Sequence, residues 1–233
     1  MYPDFISSSD MANATTKQYN NFAKDFSKIA TKQNIVNIKA IYEQFNFSLK
    51  NKKLIDLGCG DGENLVHYQT KGAEVYGIDA SKELVKIAKS KLPVADIRVE
   101  FFEKLSFKRN YFDVVVSKYA MQHSSKIEPI YKEVVRVLKK DGIFIFLVTH
   151  PVRQIFEKQQ KSKDYFKQVM VESLILDGQL TVKELSHTFS EYLSEYFFKH
   201  FEIISFIEKV DPSAEKIDGH TYPGFMIIKA KKK

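Results

Sequence analysis

The chain has 233 residues, a formal charge of +7, 44% hydrophobic and 28% charged residues, and one cysteine. That length suits one α/β domain with an insertion. A single thiol excludes a disulfide-stapled scaffold and zinc sites built on cysteine pairs, and no metal site is expected. No apolar run approaches the roughly 18–20 residues of a bilayer span, and the N-terminus has no leader pattern. The cytoplasm is therefore the expected location. The positive charge is carried by dispersed lysines and a lysine tail, a pattern that reads as a solvated surface and not as a phosphate-reading patch.

Residues 1–12 read as a lead-in. Apolar residues at helical spacing follow, Phe22, Phe26 and Ile29, then Ile35, Ile38, Ile41 and Tyr42, so two helices are expected with a break near 31–34. Alternation begins at 53. Strands are expected at 53–57, 73–78, 97–101, 112–117 and 143–149. Helices are expected at 62–68, at 81–92 with Ser81 as N-cap, and at 128–140, ending at Asp141-Gly142. This βαβαβ rhythm implies a parallel sheet with helices on both faces. Residues 151–186 are irregular, with helical pieces expected at 155–160 and 165–176. A helix at 188–198 and two antiparallel strands at 201–208 and 225–230 complete the chain.

The chemistry concentrates in Asp56-Leu57-Gly58-Cys59-Gly60-Asp61-Gly62. Glycines at 58, 60 and 62 fall between a strand and a helix, where doubly wound sheets bind nucleotides and where lacking a Cβ lets a ligand touch backbone. The spacing is not that of the dinucleotide fingerprint, whose third glycine comes one residue later, so a nicotinamide oxidoreductase is disfavoured. Carboxylates at 56 and 61 would repel a pyrophosphate. They suit a ligand with an amino group and a sulfonium, such as S-adenosylmethionine. Asp79 ends the second strand about 20 residues on, where an acid holds ribose hydroxyls.

These motifs resemble the class I S-adenosylmethionine-dependent methyltransferases, of the small-molecule "methyltransferase domain 11" type, over roughly residues 15–230. The resemblance implies a Rossmann-like three-layer sandwich with a seven-stranded, mostly parallel sheet and an antiparallel last strand. It implies a single domain: an N-terminal helical cap at 13–47, a cofactor core at 48–150, a substrate lid at 151–187, and a C-terminal helix with a strand pair at 188–233. Tyr19 would close over the cofactor. Asp56, Gly58, Cys59, Gly60, Gly62, Asp79 and Ala80 would line it, with Ser117, Lys118 and His123 beyond the fourth strand. Cys59 would be a packing residue. Near the adenine the family commonly places an acid and then a small residue. Here that acid position holds Phe101, so Phe101, Phe102 and Glu103 are the candidates. His150-Pro151, 186–193 and 222–225 resemble a bacterial subset of these enzymes without naming a substrate.

The expected activity is methyl transfer from S-adenosylmethionine, leaving S-adenosylhomocysteine, to an O, N or C atom of a small molecule. His123, His150 and His187 are candidate bases. Phe156, Tyr165, Phe166, Met170 and Leu174 could wall the acceptor site. RNA or protein methylation is the alternative, and a non-catalytic cofactor-binding module is the alternative of another class. A monomer or homodimer is expected.

Overall fold

The computed structural model describes residues 8–30, 35–158, 163–175, 180–210 and 219–233, with side chains of 8–15, 29–30, 35, 173–175 and 180 left undescribed. The expected break at 31–34, most of the lead-in and the Leu174 side chain therefore lie outside the described set.

Two helices, α1 (Ser8–Ala30) and α2 (Ile35–Tyr42), precede a sheet built from β1 (Lys53–Leu57), β2 (Glu74–Asp79), β3 (Asp96–Val99), β4 (Phe112–Lys118), β5 (Leu138–Thr149), β8 (Phe201–Lys209) and β9 (Phe225–Lys232). Its order is β3-β2-β1-β4-β5-β9-β8. The first five strands pair in parallel, and β9 runs antiparallel to both neighbours. Helices α3 (Glu63–Thr70), α4 (Lys82–Lys91) and α5 (Ile127–Val137) are the crossovers. This is the seven-stranded Rossmann-like sheet with an antiparallel last strand.

Alternation along buried strands divides the core between the two faces. Ile55, Leu57, Val115, Phe144 and Phe146 pack with Tyr131 and Val134 of α5. Leu54, Val114, Val116, Ile145 and Leu147 pack with Ile41, Leu65, Val85 and Ala88 from α2, α3 and α4. Because Asp56 alternates with Ile55, it belongs on the second face, inside the sandwich.

Three local expectations need correction. The helix expected to reach 140 ends at Val137, and β5 begins at Leu138. The carbonyls of Arg136 and Val137 accept the backbone N–H groups of Asn110 and Tyr111, which draws the chain into the sheet. Asp141 then adopts φ 60° where the register between β4 and β5 shifts. The helical piece expected at 165–176 is instead β6 (Met170–Ile175), paired antiparallel with β7 (Leu180–Leu185) in a separate two-stranded sheet. Its period is two: Val182 and Glu184 are buried while Thr181 and Lys183 are exposed. The preceding helical piece is α6 (Pro151–Glu157). Finally, the helix expected at 188–198 is divided into α7 (Phe189–Tyr192) and α8 (Glu195–His200). Thr188 and Ser194 each accept a backbone N–H, so two N-caps in succession require two helices.

Candidate active site

The carboxyl ends of β1, β2, β4 and β5 share one edge of the sheet, where open α/β sheets bind their ligands, and the loops leaving them hold most of the candidate residues. After β1 the chain folds back on β2. The N–H groups of Gly58 and Cys59 both donate to the Ile78 carbonyl, at 2.8 and 2.9 Å. Gly58, Gly60 and Gly62 have φ of 80°, 55° and 81°, which glycine adopts at least cost. A Cβ on Gly58 would lie 2.2 Å from Ala120 Cβ, so the loop also presses against the segment after β4.

Asp79 ties the loop down. Its Oδ2 accepts the Gly60 N–H at 2.9 Å and its Oδ1 accepts the Ser81 N–H at 2.8 Å. Burial pushes its pKa up to about 6, against those two N–H donors. Asp61 is spoken for within the protein: its Oδ2 accepts from Ser27 Oγ at 2.8 Å and lies 2.6 Å from Lys91 Nζ. Asp56 differs. It is 1% exposed, and neither carboxylate oxygen has a hydrogen-bond partner among the described residues. Burial pushes its pKa up to about 7, with the Lys118 ammonium opposing the shift and the Asp79 charge adding to it.

Other expected residues fall nearby. Cys59 is buried against Gly77, and burial holds its thiol well above the ordinary range, so it packs and does not attack. Ser117 Oγ donates to the Leu57 carbonyl, joining β4 to β1. Ala80 sits on the turn between Asp79 and the α4 N-cap Ser81. Phe101 is 43% exposed, whereas the Phe102 ring would lie 3.5 Å from a Cβ on Gly58. Glu103 accepts from Ser124 Oγ at 2.5 Å.

Helix α1 crosses over this edge. Asn20 Oδ1 accepts from Ser81 Oγ and from the Glu83 N–H. Phe26 lies over Gly60. The Tyr19 hydroxyl is 3.1 Å from His123 Nε2 on the 3-10 turn Met121–His123. Gln18 Oε1 accepts the Lys183 N–H of β7, so α1 and the hairpin meet.

The three candidate histidines separate by their partners. His150 caps α6 through Nδ1 and lies 2.6 Å from Glu208 through Nε2. His187 Nδ1 lies 3.3 Å from Glu191 and its Nε2 lies 3.2 Å from the Gln122 carbonyl. Both rings are therefore engaged at both nitrogens. His123 keeps a buried Nδ1 without a partner among the described residues. Burial also holds its pKa below the ordinary histidine range, with the Glu184 charge opposing.

Sequence reasoning missed Glu184, Gln122 and Gln154, which lie buried beside these histidines. The period-two pattern of Val182 and Glu184 was the available signal, hidden because the segment was not read as a strand. Among the proposed wall residues, Phe166 is 80% exposed, and Phe156 packs at a tilt against Tyr222 with 4.2 Å between ring centroids.

Residues 55–146 match a family model described as a methyltransferase domain. A ubiquinone biosynthesis O-methyltransferase of Pelagibacter ubique is 32% identical over 179 residues, covering 75% of this chain and 67% of the relative. The chain belongs to the S-adenosylmethionine-dependent methyltransferases. A demethylmenaquinone methyltransferase of Lactococcus lactis is 33% identical over 131 residues, and the match spans 51% of that relative. A solved structure from Listeria monocytogenes, described as a candidate S-adenosylmethionine-dependent methyltransferase, superposes with a TM-score of 0.70. It is 27% identical, and the match covers 86% of this chain and all of that one. The methyltransferase cofactor is S-adenosylmethionine, and no described helix is long and apolar enough to cross a membrane.

Proposed function

We propose that this methyltransferase acts on a small-molecule acceptor held beneath α1 and the β6–β7 hairpin. The observation that carries the reading is the roof. Gln18 meets Lys183 and Tyr19 meets His123, so the chain's own segments close over the strand ends. A long polymer would need an open groove there. The names of the relatives in ubiquinone and menaquinone biosynthesis support the same class.

The residues fit the cofactor chemically. Asp56 offers two buried carboxylate oxygens without a partner, which is unfavourable unless a donor or cation arrives. It would face the cationic end, directly or through a bridging donor. Asp79 would accept the ribose hydroxyls, and the backbone at Gly58 and Gly60 would form the floor. Phe102, with Phe101 and Glu103 alongside, would border the adenine.

When bound, S-adenosylmethionine supplies an electrophilic methyl group on a sulfonium. An acceptor's lone pair would displace sulfur from that carbon, and a protonated acceptor would need a group on the protein to take its proton. His123 Nδ1 is the group suited to take it: buried, unpartnered and held neutral by its surroundings. Tyr19 fixes the ring from its other nitrogen. Most of the protein's contribution is orientation and exclusion of water.

The test is transfer of labelled methyl from S-adenosylmethionine to a small-molecule extract, to bulk RNA and to a protein extract in parallel. Label in the small-molecule fraction, reduced at least ~10-fold in His123→Gln, is expected for loss of a general base. Label in RNA or protein alone would refute the acceptor class.

Asp56 makes cofactor affinity depend on pH. Its pKa in the folded protein, about 7, lies above the ordinary 3.8. Without ligand, ionising it therefore costs stability as pH rises through about 7, and a bound cation offsets that cost. Affinity should fall as pH drops from 8 to 6, by up to ~10-fold per unit below the pKa. Calorimetry in two buffers of different ionisation heat should register proton release at pH 6. A dissociation constant flat over that range would remove Asp56 from the site.

A further inference from the structure

The β6–β7 hairpin places a negative charge deep in the proposed acceptor site. Glu184 is 3% exposed, on the inward face of β7. Gln122 Nε2 donates to its Oε2 at 3.1 Å, and Gln154 Nε2 donates to its Oε1 at 2.9 Å. The Gln154 orientation is fixed independently, because its Oε1 accepts the His187 N–H at 2.9 Å. Both carboxylate oxygens thus accept an amide N–H, the arrangement suited to the ionised form.

None of the described ion pairs involves Glu184. Two neutral amides do not compensate a buried carboxylate, which ordinarily demands a cation or further donors. Around it lie further unfinished groups. Gln122 Oε1, His123 Nδ1 and the Tyr192 hydroxyl are buried without partners among the described residues. Glu184 is close enough to raise the pKa of Tyr19 and Tyr192 and to oppose the fall at His123. The 3-10 turn and α7 therefore bring unsatisfied polar atoms around the one negative charge that β7 carries. Native interiors rarely leave such a group incomplete except where a ligand completes it.

We infer that Glu184 is a specificity-determining residue of the acceptor site, selecting molecules whose head is cationic or donates N–H or O–H bonds and rejecting anionic ones. The inference rests on the small-molecule reading above. A protonated amine gains the Coulombic attraction of an uncompensated charge in a poorly solvated site. A carboxylate or phosphate meets repulsion there. Gln122 Oε1 adds an acceptor beside it, consistent with the same donor-bearing head.

The experiment uses the full chain loaded with S-adenosylhomocysteine, with phenethylamine and phenylacetate as probes that share an aromatic body and differ in charge. Binding is read by saturation-transfer NMR with competition. Phenethylamine should bind at least ~10-fold tighter than phenylacetate, a difference that should collapse in Glu184→Gln and persist in part in Glu184→Asp. S-adenosylhomocysteine affinity in both variants reports that they remain folded. Equal binding of the two probes to the wild type overturns the inference. So does a preference unchanged in Glu184→Gln, which would make the residue merely structural, or absence of both probes from a protein that binds S-adenosylhomocysteine. Should the wild type fail to bind S-adenosylhomocysteine at all, the methyltransferase reading of the site fails first and the inference falls with it.

Discussion

Gly58→Ala is expected to lower the melting temperature by roughly 10 °C, taking about 2–4 °C per kcal/mol for a chain of this size, and to abolish measurable binding of S-adenosylhomocysteine. Two costs combine. The residue has φ 80°, where an L side chain costs about 1–2 kcal/mol. The new Cβ would also stand 2.2 Å from Ala120 Cβ, and both atoms belong to rigid backbone segments. Relieving such an overlap typically costs about 1–3 kcal/mol. The loop can yield only by leaving the Ile78 carbonyl that both Gly58 and Cys59 hold, which displaces the cofactor floor. Gly219→Ala is the control, since Gly219 has φ 78° with nothing among the described residues within 4 Å of the added carbon. That variant should show the backbone cost alone. If the two melt within a degree or two of each other, the packing of the loop against the segment after β4 is not what requires glycine.

Asp79→Ala is the second large effect, expected to weaken S-adenosylhomocysteine binding by about 100-fold or more, as two hydrogen bonds to a charged acceptor are typically worth about 1.5–3 kcal/mol each. The carboxylate does two things at once. It would accept the ribose hydroxyls, and it already accepts the N–H groups of Gly60 and Ser81. Removing it therefore loses ligand contacts and frees the loop that frames them. Asp79→Asn separates these roles, because an amide can keep one N–H acceptor but cannot hold both hydroxyls. It should retain most of the stability and still bind at least ~10-fold more weakly, by loss of one such bond. Calorimetry and thermal melts on the same samples decide this. Wild-type affinity in Asp79→Ala would place the ribose elsewhere.

The sheet and the glycine turn after β1 were legible in the residues themselves. Strands such as Leu54-Ile55 and Val114-Val115-Val116 are apolar on both faces, as strands between two helical layers must be. The glycines at 58, 60 and 62 announce a turn that only they form cheaply, and Asp79 follows at the distance set by one βαβ unit. Capping is local, so Ser81 was readable as an N-cap. The break before α8 needed only Ser194 to be read in the same way.

What lay beyond the sequence was decided by contacts between distant segments. The β6–β7 pair alternates over only a few residues, and the pairing of each strand with the other gives it its period. That pairing turns Glu184 inward, onto Gln122 some 62 positions away. The three histidines look alike in sequence. They differ because Glu208 engages His150, Glu191 and the Gln122 carbonyl engage His187, and among the described residues only Tyr19 bonds to the His123 ring. Asp56 and Asp61 are likewise equal as letters in one motif. Lys91 and Ser27, brought in by α4 and α1, satisfy Asp61, while the sandwich buries Asp56 without a partner. Composition and local spacing determine the fold and its glycine loop because those depend on short-range sterics and periodicity. Which acid or imidazole remains open to a ligand depends on what the rest of the chain brings to it, and only the packed structure decides that.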